Sequence, residues 1–554
     1  MIKRKPILLL LILFLLNLVF YVNVTTATTQ NYIPRKINFD RSGIPKNILV
    51  GSYAGGRSHV KPMLDVVAIL IERGYNVTSL TSGRYEPSSE YPGLKQITLR
   101  NAELNLNSSN KFKIDEVFDY RLLPHIMDLS INDYKNNYEK YKNVAKEYNI
   151  DLFFCDVFIN EACIDAANNL KKPVIAFTTT IQLMGPVPYK SDPFFGCDVE
   201  LENKSFFERF WCAAIQPLII GYTLKPSVNQ LNDIRRRLNI KSQSKVSLAL
   251  IDTFFGFEIP QTLPPNIQEI GPVLPKEYPP LTPELSDFIN SRKRVLYVAF
   301  GTRYFTTTEN NNKILQSLVE AINKKMVDGV IWPLVMTSKD SFYSTLNLTD
   351  GTQIQTLPIL NNEHPHIHII KFAPQFAILN HTNTKLFLNH AGAGSIHESL
   401  YTGTPMLTLP FGGDQMGNAQ KLKSAGVALT LNKLYLDVND ILNKMSILLE
   451  DDKVKKNLKR LEVLTKINSK RKYRAADLIE YILHSSGLEE YVNDDFLNEW
   501  APAGPRMGFI KANNLDVYGV ILGIVLVLIG GIIFKLFSSY TSTPSFTVVK
   551  SKKA

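Results

Sequence analysis

Four cysteines in 554 residues are too few to frame a disulfide scaffold, so the chain must rely on a packed core. No block of like charge runs through it. The formal charge is +11, but lysines and arginines are interleaved with acids, which does not indicate a nucleic-acid surface. No repeat of fixed period is visible, which sets solenoids aside. Apolar residues make up 45% of the chain, a globular fraction, over a length that suggests two domains with extra segments.

The most informative stretch runs from Phe372 to Gln415. Leu386-Phe387-Leu388 reads as a short buried strand, the small residues after His390 as a tight turn, and Ser395 to Tyr401 as the start of a helix. A strand feeding a Gly-rich turn at a helix start gathers backbone N–H groups and the positive end of the helix dipole, which together favour a pyrophosphate. His390 is placed to reach a phosphate oxygen, and Glu398 to accept hydrogen bonds from a ribose. Gly403-Thr404-Pro405 ends the helix, and Met406 to Leu409 forms the next strand, with Asp414 and Gln415 beyond its carboxyl end. Ligands of open α/β sheets collect at such ends.

Phe372-Ala373-Pro374-Gln375, the run from His390 to Glu398 and Pro410-Phe411-Gly412-Gly413-Asp414-Gln415, in this order, resemble the signature of the UDP-glycosyltransferases. That family moves a sugar from a UDP-sugar onto a small acceptor. The resemblance implies that Phe372 stacks on uracil, Gln375 helps hold the nucleoside, His390 meets the diphosphate with the turn at Gly392, Gly394 and Ser395, Glu398 binds the ribose, and Asp414 with Gln415 reads sugar hydroxyls. Asn418 fits the same pattern in a structural role. Three positions depart from the family: Phe372 for Trp, Ala391 for Gly, and Gly394 for Asn, whose side chain otherwise contacts the donor.

In the first half, Asn47 to Val50 reads as a buried strand, followed by a turn with three glycines and a helix from Ser58-His59 to about Arg73. Leu64, Val67, Ala68 and Ile71 form its apolar stripe, and Gly74 ends it. Asp151 to Asp156 is a second strand and Lys172 to Phe177 a third. Strand ends of a parallel sheet share an edge, so His59 and Asp156 can meet, the carboxylate fixing the imidazole tautomer and leaving the other nitrogen to take a proton. The resemblance implies that role for this pair, His59 as general base and Asp156 as its orienter. Asp151 is a weaker rival, because it starts its strand and should face the opposite edge.

Thr178 to about Tyr222 is rich in Pro and aromatics with little periodicity, and reads as loops over an apolar acceptor pocket. Ser247 to Asp252 is a further strand, and Pro275, Pro279, Pro280 and Pro283 stiffen a linker. The strand Arg294 to Phe300 opens the second half, and in the family its end, Gly301-Thr302, touches the donor phosphates. Strands follow at 330–336, 367–371, 386–389 and 406–409. In the basic run Lys453 to Arg474, Val454, Leu458, Leu461 and Leu464 form the buried stripe of a solvated helix. The resemblance implies that the last helix of this half crosses back to the first.

At the N-terminus a basic Met1 to Lys5, an apolar run from Ile7 to Val22 and small residues to Ala27 read as a cleaved secretory signal, with an uncleaved anchor as the alternative. Val517 to Phe534 carries no charge and is long enough to cross a bilayer. The tail ends Lys550-Ser551-Lys552-Lys553-Ala554, which resembles a dilysine retrieval signal of the endoplasmic reticulum. A lumenal body makes Asn107, Asn203 and Asn347 glycosylation acceptors. Asn76 and Asn380 also match but should be packed. Such a compartment permits a Cys197–Cys212 bridge, with Cys155 and Cys163 as buried thiols.

The expectation is therefore an α/β protein of GT-B type with two facing Rossmann-like domains and a C-terminal transmembrane helix. The segments are a signal peptide (1–27), an acceptor domain (28–272), a linker (273–285), a donor domain (286–512), a span (517–534) and a cytosolic tail (535–554). The expected activity is inverting transfer from a UDP-sugar to a hydroxyl of a small lipophilic acceptor in the endoplasmic reticulum membrane. No cofactor is expected and no metal, since no Asp-x-Asp pair is placed at the diphosphate. Two rivals stand beside it: a sterol or ceramide hexosyltransferase, and a non-catalytic lumenal binder on the same fold.

Overall fold

The computed structural model describes residues 41–83, 91–100, 115–180, 189–240, 246–302, 306–486 and 507–541. Two compact units divide the chain, residues 1–44 and 45–554, and both large sheets lie in the second. The segment expected to be a signal peptide, Asn107 and the tail lysines fall outside the described residues.

The first sheet holds β1 (Asn47–Ser52), β2 (Asn76–Ser82), β3 (Lys95–Arg100), β4 (Leu152–Asp156), β5 (Val174–Thr178), β6 (Leu248–Ile251) and β7 (Ile267–Glu269) in the order β3-β2-β1-β4-β5-β6-β7. Every neighbouring pair is parallel. The second holds β8 (Val295–Ala299), β9 (Gly329–Pro333), β12 (Ile367–Ile370), β13 (Thr384–Asn389), β14 (Met406–Thr408) and β15 (Ala428–Thr430) in the order β12-β9-β8-β13-β14-β15, also parallel. Between β9 and β12 a small antiparallel hairpin, β10 (Thr345–Asn347) with β11 (Gln353–Gln355), was not legible in the sequence. Strands β4, β5, β6 and β8 are buried along their whole length, as parallel strands covered on both faces must be.

The strand orders place the functional edges. In the first sheet the chain steps outward from β1 to β3, then returns to the other side of β1 as β4, with Gly51 beside Cys155. In the second it makes the same reversal between β8 and β13, with Ala299 beside Asn389. A crevice opens outside the strand ends at each reversal. His59 and Asp156 follow β1 and end β4, and Gly301 and His390 follow β8 and β13.

Nine helices matter here: α1 (Arg57–Glu72), α2 (Glu161–Asn169), α3 (Gln216–Arg237), α4 (Pro283–Asn290), α5 (Ala393–Thr402), α6 (Gln415–Ser424), α7 (Asp452–Asn468), α8 (Arg471–Ser486) and α9 (Leu515–Thr541). In α1, Leu64 and Val67 are buried as the stripe requires, with Ala68 and Ile71 half-buried. In α7, Val454, Leu458 and Leu461 are buried and Leu464 is half-buried. Each such side chain taken fully from water stabilises the fold by about 1.5–3 kcal/mol. Helix α8 packs on α1: Arg73, which caps α1, meets Glu480 at 2.5 Å and Asp477 at 2.8 Å, and Lys472 Nζ donates to the Leu274 carbonyl at 2.6 Å.

Three expectations are corrected. Cys155 and Cys163 are bonded to each other, as are Cys197 and Cys212. Cys155 is the penultimate residue of β4, close to the start of α2, and the turn between them brings the two Cα atoms to 6.1 Å, within the usual range for a bridge. The second half of the supposed loop region is helical, in three contiguous segments: Phe206–Phe210, Trp211–Ile215 with π geometry, and α3. A capping box of Ser205 and Glu208 starts it, and its aromatics face outward, with Phe207 79% and Tyr222 82% exposed, so no buried stripe marked it as a helix. Asn76 and Asn380 are exposed rather than packed, like Asn203 and Asn347.

Helix α9 is long and apolar enough to cross a membrane. Leu515–Ser539 has a mean hydropathy of 2.8 and no residue of it is buried against the protein.

Candidate active site

His59 enters the site in the first turn of α1, set there by the turn that follows β1. Its Nδ1 lies 3.1 Å from Asp156 Oδ2, and its ring stacks on Phe158 with centroids 5.3 Å apart. Asp156 is 1% exposed, and both its oxygens are occupied: Ser52 Oγ donates to Oδ2 at 2.8 Å and Phe158 N to Oδ1 at 3.1 Å. A carboxylate held this firmly fixes the imidazole by its Nδ1 and turns Nε2 toward the cavity, where it can take a proton. Asp151 is excluded as partner, since its Oδ2 accepts from Asn47 N at the opposite edge of the sheet.

Across the cavity, His390 follows β13 and is buried, which pushes its pKa down to about 4. The ring is neutral at physiological pH and acts there as a hydrogen-bonding group rather than a cation. Glycines let it sit where it does. A Cβ at Gly301 would lie 2.8 Å from His390 Nε2, and one at Gly392 only 2.5 Å. Gly301 also has φ of 76°, which favours glycine. Ala391 takes φ of 62° in the family's glycine position, and its N–H donates to Asn389 Oδ1 at 2.7 Å. Gly392 begins α5 without a side-chain cap, so the first N–H groups of the helix remain for a ligand. A Cβ at Gly394 would meet nothing within 4 Å, which leaves open space where the family carries Asn.

The residues expected to hold the nucleoside are already linked to one another. Gln375 Nε2 donates to Glu398 Oε2 at 2.9 Å and to Ser395 Oγ at 3.1 Å. Phe372 stands 63% exposed at the rim, an open π-face of the kind a base stacks on. Asn418 Nδ2 donates to Asp414 Oδ2 at 2.9 Å and to the Ala391 carbonyl at 3.2 Å, tying the loop before α6 to the turn before α5. Burial raises the Asp414 carboxyl while His59 across the gap lowers it. Gln415 spends its side-chain oxygen on Phe411 N at 2.8 Å and Gly412 N at 3.2 Å.

All thirteen residues singled out in the sequence line one cavity of about 880 Å³, His59 and Asp156 on one wall and Phe372, His390 and Asp414 on the other. Linker residues including Val273, Leu274 and Tyr278 also line it. Of the expected acceptor loops, Thr178, Thr179, Thr180, Phe194 and Phe195 line the cavity, residues 181–188 lie outside the described residues, and the helix from Phe206 onward does not contribute. Sequence reasoning missed Ser52, Phe158 and Asp192. Asp192-Pro193 was the one available signal for the last, a turn-former inside the aromatic loops.

Behind the cavity the halves meet through buried charge. Glu258 accepts from Lys190 at 2.7 Å and from Lys421 of α6 at 2.8 Å. Burial alone would raise this carboxyl, but Lys421 and Lys190 hold it down at about 2.

Residues 221–552 match the family described as UDP-glucoronosyl and UDP-glucosyl transferase. A similar protein, UDP-glycosyltransferase 1 of Phaeomoniella chlamydospora, is 35% identical over 404 residues, which cover 69% of this chain and 80% of that one. UDP-glucuronosyltransferase 1A10 of Homo sapiens is 25% identical over 409 residues, 70% of each chain. Among solved structures, a UDP-glucosyltransferase from Polygonum tinctorium aligns with a TM-score of 0.55 at 18% identity, over 79% of this chain and 98% of that one. This likeness speaks to the fold, which is GT-B.

Proposed function

We propose that this chain, which belongs to the UDP-glycosyltransferase family and is a UDP-dependent glycosyltransferase, transfers a hexosyl group with inversion to a hydroxyl of a small lipophilic acceptor. The observation that carries the reading is the His59–Asp156 contact of 3.1 Å, on the wall of the cavity that faces His390 and Asp414. His59 Nε2 takes the acceptor hydroxyl proton as that oxygen bonds to the anomeric carbon. The bond from that carbon to the diphosphate breaks on the opposite side, and UDP leaves with the electron pair. Asp156 stabilises the imidazolium that forms.

His390 and the N–H groups from Gly392 to Ser395, with Gly301 and Thr302 beside them, receive the charge developing on UDP. A preorganised donor of this kind contributes about 3–4 kcal/mol to a transition state. Phe372 and Gln375 hold the base, Glu398 the ribose, and Asp414 with Gln415 the sugar. The reading needs neither a metal nor a cofactor besides the UDP-sugar co-substrate. The acceptor side is residues 28–272, the donor side 286–512, joined by 273–285.

The same reading places the body in the lumen of the endoplasmic reticulum as a glycoprotein, with residues 1–27 removed, the span 517–534 in the bilayer and residues 535–554 in the cytosol. The apolar, unburied helix Leu515–Ser539 supports it. That helix also favours a second reading of the acceptor, a membrane lipid such as a sterol or ceramide.

The test is purified full-length protein with UDP-sugars and candidate alcohols, phenols, sterols and ceramide, following UDP release and the anomeric configuration of the product. Transfer with inverted configuration to a soluble phenol or alcohol supports the first acceptor reading, and transfer confined to lipid supports the second. Retained configuration overturns the mechanism.

A further inference from the structure

Asp192 is a carboxyl of the acceptor half that reaches the donor half. It is 4% exposed and lines the cavity. Its Oδ1 accepts from Phe194 N at 2.9 Å. Among the described residues Oδ2 has no hydrogen-bond partner, and it lies against Gly417 in α6, where a Cβ would come within 2.0 Å of it. The helix it rests on begins with Gln415, and burial, with Asp414 nearby adding to it, raises the pKa of Asp192. A carboxyl oxygen at the wall of the cavity with no protein donor is placed to pair with a hydroxyl of a bound ligand.

The position is held from behind. Val199 N donates to Gln420 Oε1 at 2.8 Å, and Gln420 Nε2 donates to Asp198 Oδ1 at 2.8 Å, so the loop carrying Asp192 is fastened to α6. The Cys197–Cys212 bridge anchors the same loop. The field inside the cavity is one-sided. Among the described residues its lining has seven carboxyl groups, Asp156, Asp192, Asp252 and Asp414 among them, against one lysine, Lys61. Lys61 is already engaged by Asp65 at 3.6 Å and Tyr91 at 2.9 Å. Lys421, further along α6, is held by Glu258 and does not line the cavity.

We propose that Asp192 accepts a hydrogen bond from a hydroxyl of the donor sugar, opposite Asp414, and that the acid-lined cavity thereby selects a neutral hexose over a hexuronate. A hexuronate would have to bury a further carboxylate among acids whose own ionised form burial already disfavours, with no unengaged lysine or arginine among the described lining residues to meet it. A neutral hexose gives up only hydroxyls, which Asp192 and Asp414 can accept. The inference rests on the donor placement argued under the proposed function.

The test compares UDP-glucose, UDP-galactose and UDP-glucuronate as donors for full-length wild type, Asp192→Asn and Gly417→Ala. Wild type should use at least one UDP-hexose with kcat/KM about tenfold or more above UDP-glucuronate. Asp192→Asn should lower kcat/KM for the hexose about tenfold, the size of one charge-assisted hydrogen bond, and narrow the preference over UDP-glucuronate, while affinity for UDP alone stays unchanged. Gly417→Ala should shift the preference in the same direction by displacing the carboxyl.

Equal or better use of UDP-glucuronate by wild type overturns the selection, and this needs no variant. Unchanged donor preference in both variants overturns the role of Asp192. UDP release from none of the donors would count against the donor reading itself rather than against Asp192.

Discussion

His59 Nδ1 and Asp156 Oδ2 lie 3.1 Å apart at the carboxyl edge of the first sheet, with Ser52 donating to the same oxygen at 2.8 Å. The carboxylate therefore has only acceptor duties, to a hydroxyl, an amide and an imidazole. An amide in its place must turn an NH₂ toward one of these partners and loses the charge that steadies the imidazolium. Asp156→Asn is expected to lower kcat by about 10²–10⁴, and His59→Ala by at least as much. UDP affinity, measured calorimetrically, should stay within about twofold for both, since the proposed nucleotide site lies on the opposite wall of the cavity. Activity retained in His59→Ala would remove the base assignment.

Gly392 and Gly301 are expected to be intolerant of a single methyl. At 2.5 and 2.8 Å from His390 Nε2, an added Cβ must displace the imidazole or the backbone under it. Either shift moves the group expected to meet the diphosphate. Gly392→Ala and Gly301→Ala should each raise KM for the UDP-sugar, with a stability loss of about 1–3 kcal/mol from overpacking. Gly394→Ala, where a Cβ meets nothing within 4 Å, is the control that should keep both values. Equal donor KM in all three would show that His390 does not touch the phosphates.

The parts of this arrangement that the sequence disclosed were those set by local rules. Buried parallel strands announce themselves as apolar runs such as Val295 to Ala299, and Gly403 with φ of 70° marks the helix end that its position suggested. His59 and Asp156 were legible because strand ends of a parallel sheet must share an edge. Asp192 was not, because its place depends on a loop from one half lying over Gly417 of the other, and no spacing records such a contact. Nor was the helix from Phe206, whose aromatics face outward and leave no stripe. The Cys155–Cys163 bridge was hidden for a similar reason, since strand and helix are adjacent only through the turn between them.

Phe372 supplies the next expectation. With 63% of its surface exposed at the rim, it packs on little within the protein, as the proposed stacking platform would. Stacking of one base on an aromatic ring contributes about 1–3 kcal/mol. Phe372→Ala should therefore weaken UDP binding by about fivefold or more with little change in Tm, whereas Phe372→Trp, which enlarges the π-face, should bind UDP as well or better. A Phe372→Ala protein with wild-type UDP affinity would place the base elsewhere.

Stability should respond to pH through four buried groups with opposing signs. Burial lowers His390 and His397 from 6.5 to about 4, so the unfolded chain binds their protons first and their contribution, present above about pH 6.5, is lost as pH falls toward 4. Burial raises Asp192 and Asp252 from 3.8 to about 7. Their contribution is present in full below about pH 3.8 and is lost as pH rises through 7. Across the shared window the two pairs act in opposite directions. Asp252→Asn removes one falling limb while keeping the oxygen that accepts from Val273 N at 2.7 Å. Its stability relative to wild type should climb by up to about 1.4 kcal/mol per pH unit between pH 4 and 7 and level off above. Thermal unfolding of the two proteins over pH 4–8 reads this directly, and a constant difference across that range would mean that Asp252 ionises at its ordinary pH.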